Sequence, residues 1–307
     1  MQTKLLWDEH IDNGATETYE FNWARHFSAL NRKSMDQVDK NGNALIYKVG
    51  IKQSNGVASS QSAIDTQLNT ASNGYVTARA VKAWHRARLK MLGREGVSLK
   101  QMSPYARNLR FPLTTTDDYS GELSSGEWTY TAFAVESPQD GDSTANIRSA
   151  DVVDTYSLTL TGDHVKESAD GGETQYTTVG LIQAWLEARR NPFGPNVDGS
   201  DEKRIDHETN PLYNIMSGTL ASEEVLEIVE DAQKEEPPYS TTNTVHSGLV
   251  KQGRLYSSQH TADYTIVHCP AGLMQAVITD QNPDGQSGTD AAVRWEVELL
   301  DVYPMKA

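Results

Sequence analysis

The feature that most constrains this chain is a two-residue alternation of side-chain character that recurs along most of its length. In 292–303, Val293, Trp295, Val297 and Leu299 alternate with Arg294, Glu296 and Glu298. Successive side chains of a strand point to opposite faces, so the pattern predicts a strand with one face buried and one in water. Leu45, Tyr47, Val49 and Ile51 repeat it in 44–52, behind the turn residues Asn41-Gly42-Asn43. In 127–136, Trp128, Tyr130 and Ala132 share one side while Thr129, Thr131 and Phe133 share the other, and 154–162 alternates Tyr156, Leu158 and Leu160 with Ser and Thr. Further runs occupy 16–27, 249–256, 264–269 and 273–279. A shorter candidate, 107–114, is weakened by Pro112, which has no N–H to give a ladder. About eight or nine strands result, which makes the chain all-β.

Three segments carry helical periodicity instead. In 76–93, Val76, Ala80, Ala83, Trp84, Ala87 and Met91 fall on one stripe, and Arg79, Lys82, Arg86 and Lys90 fall on an adjacent one. Such a helix anchors itself through Trp84 and presents a row of cations. The segment 178–190 buries Val179, Ile182, Trp185 and Leu186 and stops at Asn191-Pro192. The segment 222–233 starts on a Ser cap and buries Val225, Leu226 and Val229. Stretches rich in Gly, Ser, Asn and Asp at 54–73, 138–150, 165–175 and 191–210 read as loops, too interleaved with strands to be linkers. The expected architecture is one domain over 1–307, a β-sandwich with helical and loop insertions at about 54–106 and 164–246.

Composition removes several classes of function. No run reaches the ~20 apolar residues of a membrane helix, and the acidic opening MQTKLLWDEHIDNG lacks the apolar stretch of a secretion signal. The lone Cys269 excludes a disulfide framework and a multi-cysteine zinc site, and reads as a small core hydrophobe. A net charge of −15 opposes wholesale coating of nucleic acid. That charge is unevenly spread. Over the 35 residues 76–110 the cations are Arg79, Lys82, Arg86, Arg88, Lys90, Arg94, Lys100, Arg107 and Arg110, opposed only by Glu95. The segment carries +8 within a total of −15, so −23 lies elsewhere. This asymmetry predicts one face that meets a polyanion. The competing interpretation is neutralisation by the acidic remainder of the same fold or of a neighbouring subunit.

Signatures of catalysis are missing. There is no G-x-S-x-G, no phosphate loop, no G-x-G-x-x-G and no H-E-x-x-H; His207-Glu208 continues as Thr-Asn-Pro. None of the eight histidines sits at a metal-pair spacing. These observations predict a protein that is not an enzyme. One loop has a calcium-like order of oxygen ligands, Asp280, Asn282 and Asp284 before Gly285. Its twelfth position is Ala291 with Asp290 beside it, so a plain hairpin loop fits better than a calcium site.

Strands with helices in their connections and no catalytic signature describe an eight-stranded jelly-roll β-sandwich used as a building block. Four phrases carry a resemblance: ARAVKAWHRARLKMLG, IQAWLEARRNPFG, EIVEDAQKEEPPYS and CPAGLMQAVITD followed by VRWEVELLDVYP. In content and order they resemble capsid proteins of small circular single-stranded DNA viruses. The resemblance implies a single jelly roll that self-assembles into an icosahedral virion shell inside the host cell. It implies Arg79, Lys82, Arg86 and Lys90, with Arg88 and Arg94, as the DNA-facing residues, and outward loops as contacts for a host receptor. The chain departs from that family in having only Lys4 as a cation in residues 1–24, where many such proteins carry an Arg-rich arm. A shell around an internal membrane, as in phages with double jelly-roll coat proteins, suits that departure, but two rolls need about sixteen strands. The alternative function is a carbohydrate- or receptor-binding β-sandwich module, drawing on Trp7, Tyr119 and Tyr239.

Overall fold

The computed structural model describes residues 1–12, 14–55, 63–94, 96–103, 106–114, 128–136, 153–168, 174–190, 248–258, 260–281 and 291–306. The strands are β1 (Lys4–Ile11), β2 (Thr16–Asn22), β3 (Leu45–Asn55), β4 (Ile64–Thr70), β5 (Ala132–Glu136), β6 (Val153–Thr159), β7 (Val165–Ser168), β8 (Thr174–Gly180), β9 (Val250–Ser257), β10 (Asp263–Pro270), β11 (Leu273–Asp280) and β12 (Ala291–Pro304). The helices are α1 (Trp23–Asn31), α2 (Tyr75–Arg94) and α3 (Leu181–Arg190). The chain divides into two compact units. One comprises Met1–Ala78, Thr116–Thr129 and Leu249–Ala307; the other comprises Arg79–Thr115 and Tyr130–Gly248.

The first unit is an all-β sandwich. Two antiparallel four-stranded sheets, ordered β1-β12-β3-β10 and β2-β11-β4-β9, pack face to face. The alternation read from 292–303 is realised in β12, where Val293, Trp295 and Val297 are buried and Arg294 and Glu296 are exposed. Aromatic rings fill one region of the core: Trp7 lies 4.9 Å from Trp295 and 5.1 Å from Phe21, and Phe21 stacks on Trp23.

A polar group sits between the sheets and is fully used. Gln53 of β3 is buried, and its Oε1 accepts from Trp295 Nε1 of β12 (2.9 Å) and Thr66 Oγ1 of β4 (2.6 Å). Its Nε2 donates to Ser257 Oγ of β9 (3.0 Å) and to the Ile64 carbonyl (3.3 Å). One amide thus ties four strands of two sheets, and an unmade bond there exposes a buried dipole to apolar surroundings. The β10–β11 turn is a second fixed point. Ala271 and Gly272 both have positive φ, 54° and 70°, in a two-residue connection. A Cβ on Gly272 would lie 3.0 Å from the Ala24 nitrogen and 3.1 Å from the Tyr47 ring, so glycine is required there.

Several sequence expectations need correction. The run 16–27 is a strand only to Asn22. Asn22 Oδ1 then accepts the Arg25 N–H (3.0 Å), which caps α1 and turns Trp23–Phe27 into helix. The stretch 54–73 is not all loop, since β4 runs through it with Ile64, Thr66, Leu68 and Thr70 pointing inward. In 165–175, read as loop, lie β7 and the start of β8. The helix expected from 178 starts at Leu181, because Thr178 and Val179 still belong to β8. The candidate 107–114 is not a strand: its Leu109, Phe111 and Leu113 are buried, but it forms no ladder. The stretches 138–150, 191–210 and 222–233 lie outside the described residues.

The second unit holds a mixed sheet ordered β5-β6-β8-β7, with β6 and β8 parallel. The strands read from 127–136 and 154–162 fall here, as β5 and β6, while the sandwich takes β1 and β4. Gly180, at the end of β8, accommodates a close approach, since a Cβ there would meet the Gly162 carbonyl oxygen.

Candidate nucleic-acid interface

Most of α2 is built by the helix formers Ala, Arg, Lys and Leu and is anchored by tryptophan. Trp84 is fully buried, meets Phe133 edge-on at 5.3 Å, and donates its Nε1 proton to the Leu181 carbonyl (3.3 Å). Ala80, Val81 and Ala87 are also fully buried. The buried stripe is rotated from the one read in the sequence. Val76, Ala83 and Met91 are only half-buried, while Thr77, Val81, His85 and Arg88 go inside.

That rotation sorts the cations. Arg86 and Lys90 are exposed. Arg79 and Lys82 are half-buried; both, like Lys90, already have partners within the protein. Arg88 is 8% exposed, and its guanidinium donates to the carbonyls of Arg107 (2.7 Å) and Ala106. Burial, reinforced by the neighbouring Arg110 cation, pulls the Arg88 guanidinium below its ordinary range. Arg110 is itself buried. Arg94 closes α2, and its side chain lies outside the described residues.

Two cations that the helical spacing does not single out are tied to Arg88 through backbone bonds. Arg107 is exposed, and its Nε and Nη2 donate to the carbonyls of Met102 (3.0 Å) and Lys100 (3.2 Å). Lys100 is exposed in the short 3₁₀ turn Leu99–Gln101. Arg88 therefore fastens residues 106 and 107 to α2, and Arg107 fastens 100 and 102 to itself. The connections run through carbonyls, which leave no mark in side-chain spacing; only the local excess of charge signals them in the sequence.

Of the calcium-like set, Asp280 ends β11 and is buried. Its Oδ2 accepts the Gly14 N–H (3.1 Å), which ties it to the β1–β2 turn. Asn282, Asp284 and Asp290 lie outside the described residues. No group of three or more His, Cys, Asp or Glu side chains converges among the described residues. Trp7, considered as an exposed aromatic platform, is half-buried against Tyr19, Phe21 and Trp295; Tyr119 and Tyr239 lie outside the described residues. Cys269 is fully buried, and desolvation pushes its thiol above the ordinary range, the reverse of a nucleophile's environment.

No helix among the described residues is long and apolar enough to cross a membrane. No protein-family model, curated protein or solved structure matches the chain.

Proposed function

We propose that this chain is a virion coat subunit: a single jelly roll whose copies assemble into an icosahedral shell around single-stranded DNA. The strand order of the sandwich carries this reading. Counted along the chain, its eight strands run first-eighth-third-sixth in one sheet and second-seventh-fourth-fifth in the other. Apart from the fourth and fifth, which pair in one sheet, successive strands cross between the sheets, which is how a doubled Greek key wraps into a jelly roll. The capsid-like phrases, the strongly acidic remainder and the basic α2 segment add to it.

In such a subunit the activity is assembly. Many copies bury their edges, each contact is individually weak, and closed symmetry sums them. The acidic remainder keeps finished particles apart in solution. The basic segment in the second unit is the part suited to phosphate. Electron microscopy of the purified protein at low and high salt tests the proposal. Uniform closed particles are expected, and discrete monomers or small oligomers under every condition would reject it.

A further inference from the structure

We infer that β1 is a self-pairing edge: two copies of this chain join their β1 strands antiparallel about a two-fold axis at Leu6, which makes one continuous sheet of two. The contact goes beyond the coat reading, because a pair formed this way needs no shell.

β1 is the end strand of its sheet, in the order β1-β12-β3-β10. Residues of an antiparallel pair alternate between exchanging bonds with the neighbouring strand and pointing away from it. The Thr3 carbonyl accepts from the Leu299 N–H (2.7 Å), so Thr3 faces β12. The register that sets Lys4 against Glu298 then makes Leu5, Trp7 and Glu9 face β12 as well. Lys4, Leu6 and Asp8 therefore turn their N–H and C=O groups to the open side. Gln2 turns the same way, but Asn31 of α1 closes it: Asn31 Oδ1 accepts the Gln2 N–H (2.7 Å) and Nδ2 donates to the Gln2 carbonyl (2.9 Å). Among the described residues no group does this for Lys4, Leu6 or Asp8. Such a row of unmet backbone groups is a template for another strand.

The side chains select the occupant and its register. The outer row of β1 reads Lys4, Leu6, Asp8, all exposed, and Leu6 is 71% exposed. Reversed, this row is its own complement. With Leu6 opposite the partner's Leu6, Lys4 meets the partner's Asp8 and Asp8 meets the partner's Lys4. Lys4 already pairs with Glu298 (3.6 Å) and Asp8 with Arg294 (2.8 Å). Charge then alternates across both copies, from Glu298 to Lys4 to the partner's Asp8 to the partner's Arg294. On the inner row, half-buried Leu5 meets the partner's Trp7, half-buried in the free chain. A slip of two residues either way sets Leu6 against a charged side chain, and a slip of one opposes backbone groups that face away from each other. A strand of unrelated sequence lacks this complement, so a second copy is the occupant.

The test is cysteine cross-linking of the full-length protein under mild oxidation, read on non-reducing denaturing gels. The native Cys269 is fully buried and does not interfere. Opposed residues that exchange backbone bonds have Cα atoms about 5.5 Å apart, within the ~4.4–6.8 Å that a disulfide spans. Leu6→Cys should give linked dimers. Lys4→Cys alone and Asp8→Cys alone should not, while an equal mixture of the two should. Tyr256→Cys, exposed on the end strand of the other sheet, serves as the collision control and should stay unlinked. Sedimentation velocity of dilute native protein should show a dimer. Leu6→Lys sets two cations face to face and should lose it, with circular dichroism and thermal midpoint unchanged because the side chain is exposed.

Three results would overturn the inference: Leu6→Cys linking no better than Tyr256→Cys, Lys4→Cys or Asp8→Cys linking to itself as well as the mixture does, or native and Leu6→Lys proteins sedimenting alike. If Leu6→Lys fails to fold, the cross-links decide alone. Linked dimers without closed shells keep this inference while the coat reading falls, and closed shells without links do the reverse.

Discussion

On the outer face of one sandwich sheet, cations meet carboxylates across the strands: Lys4 with Glu298, Lys52 with Glu296, and Arg294 with Asp8 at 2.8 Å. On the other sheet Arg254 closes a two-point bond on Asp65, at 2.6 Å. In the second unit Arg88 and Arg107 instead spend their protons on carbonyls. The first arrangement cancels charge where it stands, and the second satisfies hydrogen bonds while leaving charge in place. The two units of one acidic chain therefore handle these cations differently: carboxylate pairs on the sheet faces, and carbonyl bonds at Arg88 and Arg107 among the described residues of the second unit. Composition alone reports only their sum.

The interiors differ as well, and the largest expected effects lie there. Trp295→Ala removes a fully buried ring, its contacts with Trp7 and Phe21 and the proton that Gln53 accepts; a loss of about 3–5 kcal/mol is expected in chemical denaturation. Trp84→Ala should cost a similar amount, about 3–5 kcal/mol, in the second unit. Equal costs would show that the two interiors depend alike on a packed tryptophan ring; a small cost at Trp84 would break the parallel.

Next comes the polar tie between the sheets. Gln53→Leu keeps the volume but orphans the Trp295 N–H and the Thr66 and Ser257 hydroxyls, for a loss of about 3 kcal/mol. A neutral result would mean that these groups find new partners.

A third effect depends on pH. His26 of α1 is buried against Phe21 and Trp23, and desolvation, with Arg25 adding, lowers its pKa from 6.5 to about 4. The folded protein thus binds the proton less readily than the unfolded chain. Stability is fully present above about 6.5 and is lost as pH falls toward 4, by at most about 3 kcal/mol. His26→Phe should flatten the stability profile across that window, and an unchanged profile would place the acid sensitivity elsewhere.

The smallest effect belongs to the outer sheet faces. Arg254→Gln should leave the thermal midpoint within scan error, because exposed ion pairs are screened and contribute little. A clear drop there would make the ladders structural and weaken the contrast with α2.

What was legible in the sequence follows the same division. Strands such as β3 and β12, whose inward positions are nearly all apolar, show their period directly. β4 stayed hidden because two of its inward side chains are threonines, and Thr66 is accounted for only by Gln53, which belongs to another strand. β1 was hidden because Glu9 breaks its inward row and Leu6, 71% exposed, sits on the outer one. α1 carried its own signal, the Asn22 cap, but the aromatic run around it read as strand. In the candidate site, Arg86 and Lys90 were visible from helical spacing. Arg88 was visible as a charge but not as a strut, because its partners are backbone carbonyls nineteen and eighteen residues away.

The central claim is that assembly belongs to the sandwich and the polyanion contact to the basic end of α2. The most direct measurement compares particles of the native protein with particles of Arg86→Ser, Lys90→Ser and Lys100→Ser combined, reading diameter by electron microscopy and nuclease-protected DNA per subunit. The account predicts closed shells of unchanged diameter with reduced DNA. Shells that hold as much DNA as the native ones, or a failure to form shells by a protein that folds normally, would contradict it.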